Sequence, residues 1–69
     1  MAVDILHVRH NGRSSEYGLA NLDLSEQSTD GDILRAVARH LDLPLVELAG
    51  HVVVRNATAI VVRPEAIYG

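Results

Sequence analysis

The chain has 69 residues, 48% of them apolar and 22% charged, with a formal charge of −3. That length holds one small domain with a thin core and leaves no room for a nucleotide-binding domain joined to a separate substrate domain. Cysteine is absent, which excludes disulfides, thiolate metal sites, thiol nucleophiles and redox pairs, and the acidic balance speaks against a nucleic-acid surface, whose affinity needs a basic face.

Val3 to His10 reads as a strand, with Val3, Ile5, Leu6 and Val8 as its apolar positions. It stops at Asn11-Gly12, the strongest short-range hairpin signal because both residues tolerate positive φ. A second extended segment is expected from Arg13 to about Leu24, with a bulge or bend near Gly18–Ala20 restoring the register for Leu22 and Leu24. Ser25 to Gly31 is polar and loop-like. Ser28 or Thr29 then caps a helix over Asp32–Leu41, with Asp30 and Asp32 at its positive end. Ile33, Leu34, Val37, Ala38 and Leu41 share one helical face, and Leu43-Pro44 is the expected stop.

Pro44 to Ala49 is an apolar connector, a short strand or a turn of helix, punctuated by Gly50. Two β-branched runs follow, His51–Arg55 and Thr58–Arg63, joined at Asn56-Ala57 and so expected to pair antiparallel. Their continuous Val52–Val54 and Ile60–Val62 stretches predict central, covered strands. Pro64 withholds a donor and ends the last strand. The expected organisation is a domain over 1–63 and a tail over 64–69.

The basic residues are six arginines with no lysine, and the aromatic residues are Tyr17 and Tyr68 alone. A core of Val, Ile, Leu and Ala lacks the large area each ring would bury, so self-association, as in a homodimer, or support from a partner is expected. No basic region precedes an apolar run at the N-terminus, and no apolar run is long enough to span a bilayer. A cytoplasmic protein without a membrane partner is the expectation.

Strand, strand, helix, strand, strand and tail, with one helix covering one face of a mixed sheet of about four strands, is an α+β arrangement. It resembles the β-grasp fold, and within it the ubiquitin-like proteins. The features that carry the resemblance are the hairpin at Asn11-Gly12, the capped helix at Asp30–Leu41, the Leu43-Pro44 stop, the Thr58–Arg63 strand and the tail ending in Gly69. Bacterial ubiquitin-like proteins and sulfur carriers are the most similar subgroup.

The resemblance implies a modifier or carrier rather than an enzyme. A partner activating enzyme would use ATP to adenylate the Gly69 carboxylate, and the acyl group would pass to an acceptor. A conjugating enzyme and a deconjugating protease are the companion partners it implies. Residues 64–69, if extended, reach about 20 Å, Gly69 offers an unhindered carbonyl, and Arg63, Pro64, Ile67 and Tyr68 would guide the tail into the partner. The chain departs from the family in ending Tyr68-Gly69 rather than in two glycines, and without lysine it forms no lysine-linked chains. Ile67 and Tyr68 serve equally well as partner anchors or as a cover for the core.

The alternative is a non-covalent adaptor or regulatory subunit. It would bind through the open sheet face, at Val52, Val54 and Val62, or by strand addition. No cofactor and no metal site is expected. His7 and His10 stand three apart in a strand, on opposite faces. His40 suits a helix C-terminus, and His51 lies beside a turn glycine. Ser14, Ser15 and Glu16 form no ordered nucleophile–base pair, and Asp30-Gly31-Asp32 lacks the remaining ligands of a calcium loop.

Overall fold

The computed structural model describes residues 3–65. Its strands are β1 (Ile5–His10), β2 (Arg13–Gly18), β3 (His51–Arg55) and β4 (Ile60–Pro64), and its helix is α1 (Asp30–His40). The strands form one sheet in the order β2-β1-β4-β3. β1 pairs antiparallel with β2 and parallel with β4, and β3 pairs antiparallel with β4. With α1 across one face this is an α+β fold consistent with a β-grasp domain. No helix among the described residues is long and apolar enough to cross a membrane.

The β1–β2 turn forms as the sequence predicts. Asn11 (φ 52°) and Gly12 (φ 74°) are both left-handed, which matches the twist of the two strands. At the expected bulge or bend near Gly18–Ala20 the chain turns out of the sheet, and the segment does not continue as a strand to Leu24. Leu19 N–H donates to Asp4 O (2.9 Å) as the chain leaves the sheet, and Leu19–Leu22 coils into a 3-10 turn. Asp23 N–H to Ala20 O (3.1 Å) and Leu24 N–H to Leu19 O (2.9 Å) close it, with Asp23 at φ 56°. Leu19 is buried, and Leu22 and Leu24 pack beside the core. The same leucines thus reach the interior with turn spacing rather than strand spacing.

Thr29 caps α1 through a reciprocal box: Asp32 N–H donates to its hydroxyl (3.1 Å), and Thr29 N–H donates to Asp32 Oδ2 (3.4 Å). The helix ends where Asp42 turns left-handed (φ 57°) and Leu43 N–H donates to Ala38 O (2.8 Å). Its inward face carries Ile33, Val37 and Ala38 against Leu6, Val8, Ile60 and Val62 of the sheet, with Leu19 and Leu48 closing the core. Leu48 arrives on the connector, which forms a 3-10 turn over Leu45–Leu48.

Two expectations about the last strands change. β4 is central, but β3 is an edge strand. A continuous apolar run shows that a strand is half-buried or better; it does not show which partners flank it. The β3–β4 connection also runs longer, to Ala59, because Asn56 Oδ1 accepts from Thr58 N–H (3.2 Å) and Ala59 N–H (3.0 Å) and winds residues 56–59 into a side-chain-closed turn. Pro64 stands in register opposite His51, and Glu65 N–H still donates to Gly50 O (2.8 Å). The sheet therefore holds the chain past the expected boundary at residue 63.

Candidate interaction surface

Residues directly opposite one another in a sheet point to the same face, and neighbours along a strand alternate. Leu6, Val8, Ile60 and Val62 are buried under α1. The registers then place Val53 on that same face, and Ile5, His7, Arg9, Ser14, Glu16, Val52, Val54, Val61 and Arg63 on the open one. One row, Val54–Val61–His7–Glu16, crosses all four strands. At its end His7 Nδ1 lies 3.7 Å from Glu16 Oε2, with both side chains well exposed. Val52 stands beside Arg63 in the next row.

Val52, Val54 and Arg63 thus fall together on the open face, half-buried by their neighbours. Val62 does not belong with them. It is 0% exposed and lies under the helix. Its odd-even position against Val61 and Arg63 sends its side chain inward, so it serves the core and is closed to partners. Pro64 ends β4, opposite His51. Ile67, Tyr68 and Gly69 lie outside the described residues.

The edge position of β3 gives this face an unpaired border. Glu65 N–H bonds to Gly50 O, so 50/65, 52/63 and 54/61 are the hydrogen-bonded pairs and the backbone groups of His51, Val53 and Arg55 point outward. Among the described residues no backbone partner meets them. A β-branched edge with neither lysine nor proline in it is the kind of strand that accepts another strand. The opposite edge, β2, reads RSSEYG and carries no such run.

Charge separates across the molecule. The strands hold Arg9, Arg13, Arg55 and Arg63 but a single carboxylate, Glu16; the other eight Asp and Glu lie on α1, the turns and the segments flanking the strands. The net acidity of the chain therefore lies outside the strands, and the strands are its basic part.

Three features escaped the sequence reading. Arg55 leaves the end of β3 and donates to Ser28 O (2.7 Å), Glu26 O (3.2 Å) and Asp30 Oδ1 (2.7 Å), tying the loop before α1 to the sheet. Leu45 and Val46, 48% and 75% exposed, border an apolar groove of about 370 Å³ with Leu34 and Ala49. His10 and His51 meet, Nδ1 to Nε2 at 3.2 Å, across the end of the sheet. Only the last had a signal in the sequence: His10 has the parity of Leu6 and Val8, and His51 that of Val53.

Two groups titrate away from their usual values. Hydrogen bonds from the Thr29 hydroxyl and backbone, and then from Arg35 (2.7 Å), hold Asp32 below the ordinary carboxylate value. Burial, and then the neighbouring His10, push His51 down, while the backbone carbonyl of Arg9 acts the other way. Among the described residues no group of three or more His, Asp and Glu is placed to hold a metal ion.

Searches against protein-family models, curated proteins and solved structures find no match to this chain.

Proposed function

We propose that this chain is a β-grasp protein-interaction domain that binds an extended partner segment by adding it to β3. The observation that carries the reading is the outward-facing, unpaired backbone of His51, Val53 and Arg55 on an apolar edge. Main-chain bonds would supply affinity. Val52 and Val54 on the open face, with Arg63 beside them, would read alternate side chains of the partner. An acidic, β-branched segment fits best. Two copies paired antiparallel about Val53 would set His51 of each against Arg55 of the other, which disfavours the self-pair when the histidine is charged.

The test is an NMR titration with a synthetic strand of alternating Val and Glu, run beside its Val-Lys counterpart. The acidic strand should shift the Val53 amide and its neighbours, and the lysine strand should not. Val53→Pro is the informative variant, because its lost N–H faces outward and the bonds to β4 remain. It should abolish the shifts. Shifts centred on Leu45 and Val46, or none at all, would sink the proposal.

A covalent reading stands second. In it the chain is a ubiquitin-like modifier or carrier whose Gly69 carboxylate is adenylated by an activating enzyme. What supports it is the strand order, in which the last strand is central and carries the chain to Glu65 at one end of the sheet. Mass spectrometry after incubation with ATP and a candidate activating enzyme tests it. An adenylate or conjugate that Gly69 deletion removes is the expected result, and its absence argues for the edge-strand domain alone.

A further inference from the structure

We propose that His10 and His51 form a proton-sensitive clasp across the outgoing end of β4, closed at neutral pH and opened when both rings are charged. β4 lies between β1 and β3. His10 is the last residue of β1, His51 the first of β3, and Pro64 the last of β4, opposite His51. The two rings reach over that strand end and meet at 3.2 Å, with centroids 5.1 Å apart.

The place where they meet is one where the backbone ladder is weak. The pairing alternation turns the nitrogen of Pro64 toward β1. Proline has no hydrogen there to give, so the last link between β1 and β4 is missing. Beyond it, the chain is held by the Glu65 N–H bond to Gly50 O at 2.8 Å. Gly50 precedes His51 directly. A side-chain contact from His10 to His51 therefore ties β1 to the neighbour of Gly50, the residue that anchors Glu65, and takes over what Pro64 cannot do.

The contact holds one hydrogen. In neutral rings of complementary tautomers one facing nitrogen donates and the other accepts. When both rings are protonated, each facing nitrogen carries a hydrogen and each ring a positive charge, so the contact becomes a repulsion. His51 Nδ1 is buried without a geometric hydrogen-bond partner, which penalises a second proton on that ring.

Among the surroundings only the Arg9 backbone carbonyl favours a charge on His51, and burial together with His10 outweighs it. From β2, Arg13 is the cross-strand partner of His10 and adds a cation. From β1 the Arg9 carbonyl faces His51, and the Arg9 side chain alternates to the open face. From β4, Pro64 is uncharged, while Arg63 and Glu65 have the opposite parity. After α1, Leu41 and Leu43 line the groove beside His10 and bring no charge. No carboxylate among the described residues lies within 4.0 Å of either ring.

The sign follows. His51 is depressed below its ordinary 6.5 in the closed state. The clasp is therefore complete above that value and is lost as pH falls through the lowered one. Its closure steadies the chain at Glu65, on the helix-covered side and apart from the outward backbone of β3.

Histidine-detected NMR and amide exchange, in EDTA, test the clasp. The protection of the Glu65 N–H, corrected for intrinsic exchange, should fall about fivefold between roughly pH 7.5 and pH 5, the ratio one ordinary hydrogen bond supports. The fall should track the titration of His51. The Asn56 N–H, bonded to Ala59 O at the far end of β3, should hold level. In His10→Asn the carboxamide oxygen accepts from His51 in either charge state, and Glu65 protection should no longer depend on pH. A flat profile for Glu65 in the unaltered protein, an equal fall at Asn56, or an undiminished fall in His10→Asn would each overturn the proposal. Should His10→Asn fail to fold, the comparison of Glu65 with Asn56 decides alone.

Discussion

Val54 and Val62 occupy the same kind of β-branched run, and the same substitution should cost far more at Val62 than at Val54. Val62 is 0% exposed beneath α1. Aspartate there removes a buried side chain worth about 1.5–3 kcal/mol and puts an unpaired carboxylate in the core, at a further cost of several kcal/mol. A chain of 69 residues has a total stability of only about 3–10 kcal/mol, so Val62→Asp should leave no cooperative transition. Val54 lies on the open face opposite Val61. Its loss removes one cross-strand pair and some strand preference, about 1 kcal/mol in all, or about 4–8 °C in Tm. Thermal circular dichroism and amide shift dispersion read both outcomes. A folded Val62→Asp, or equal losses at the two sites, would refute the face assignment on which the binding surface depends.

Arg55→Ala should lower stability by about 1–2 kcal/mol, since it releases two backbone carbonyls and Asp30 but breaks an ion pair that is largely exposed; amide exchange across residues 26–30 should quicken, and unaltered exchange there would count against the tether. Asp32 is held below its ordinary 3.8, so its contribution is full above that value and disappears as pH falls through the lowered one. The acid limb of a Tm–pH curve should therefore be shallower in Asp32→Asn than in the parent. Gly12→Ala should cost about 1 kcal/mol, wholly from the backbone, because a Cβ there meets nothing within 4 Å while φ is +74°. A neutral result by chemical denaturation would mean the turn does not require that conformation.

The local signals were legible because they depend on neighbouring residues. Asn11-Gly12 makes its turn from its own φ preference, and Thr29 with Asp32 builds a cap across three residues. The turn at Leu19 was not legible. Leu19, Leu22 and Leu24 fit a bulged strand or a coil, and the Asp4 and Leu19 carbonyls that decide between them are supplied by the folded chain. The same limit applies to the candidate site. Val52, Val54 and Val62 look alike as letters, and only the register tells which of them the helix covers.

By itself the order of residues determined the four strands and the helix, the helix cap, the first hairpin and an aliphatic core, since each follows from short-range sterics or hydrophobic spacing. Tertiary structure decided that β3 stands at the border of the sheet and that His10 finds His51 across 41 positions. Those outcomes depend on which strands become neighbours. That choice is made by the joint burial of one sheet face and the helix, a property of the whole packed chain that no single stretch of it contains.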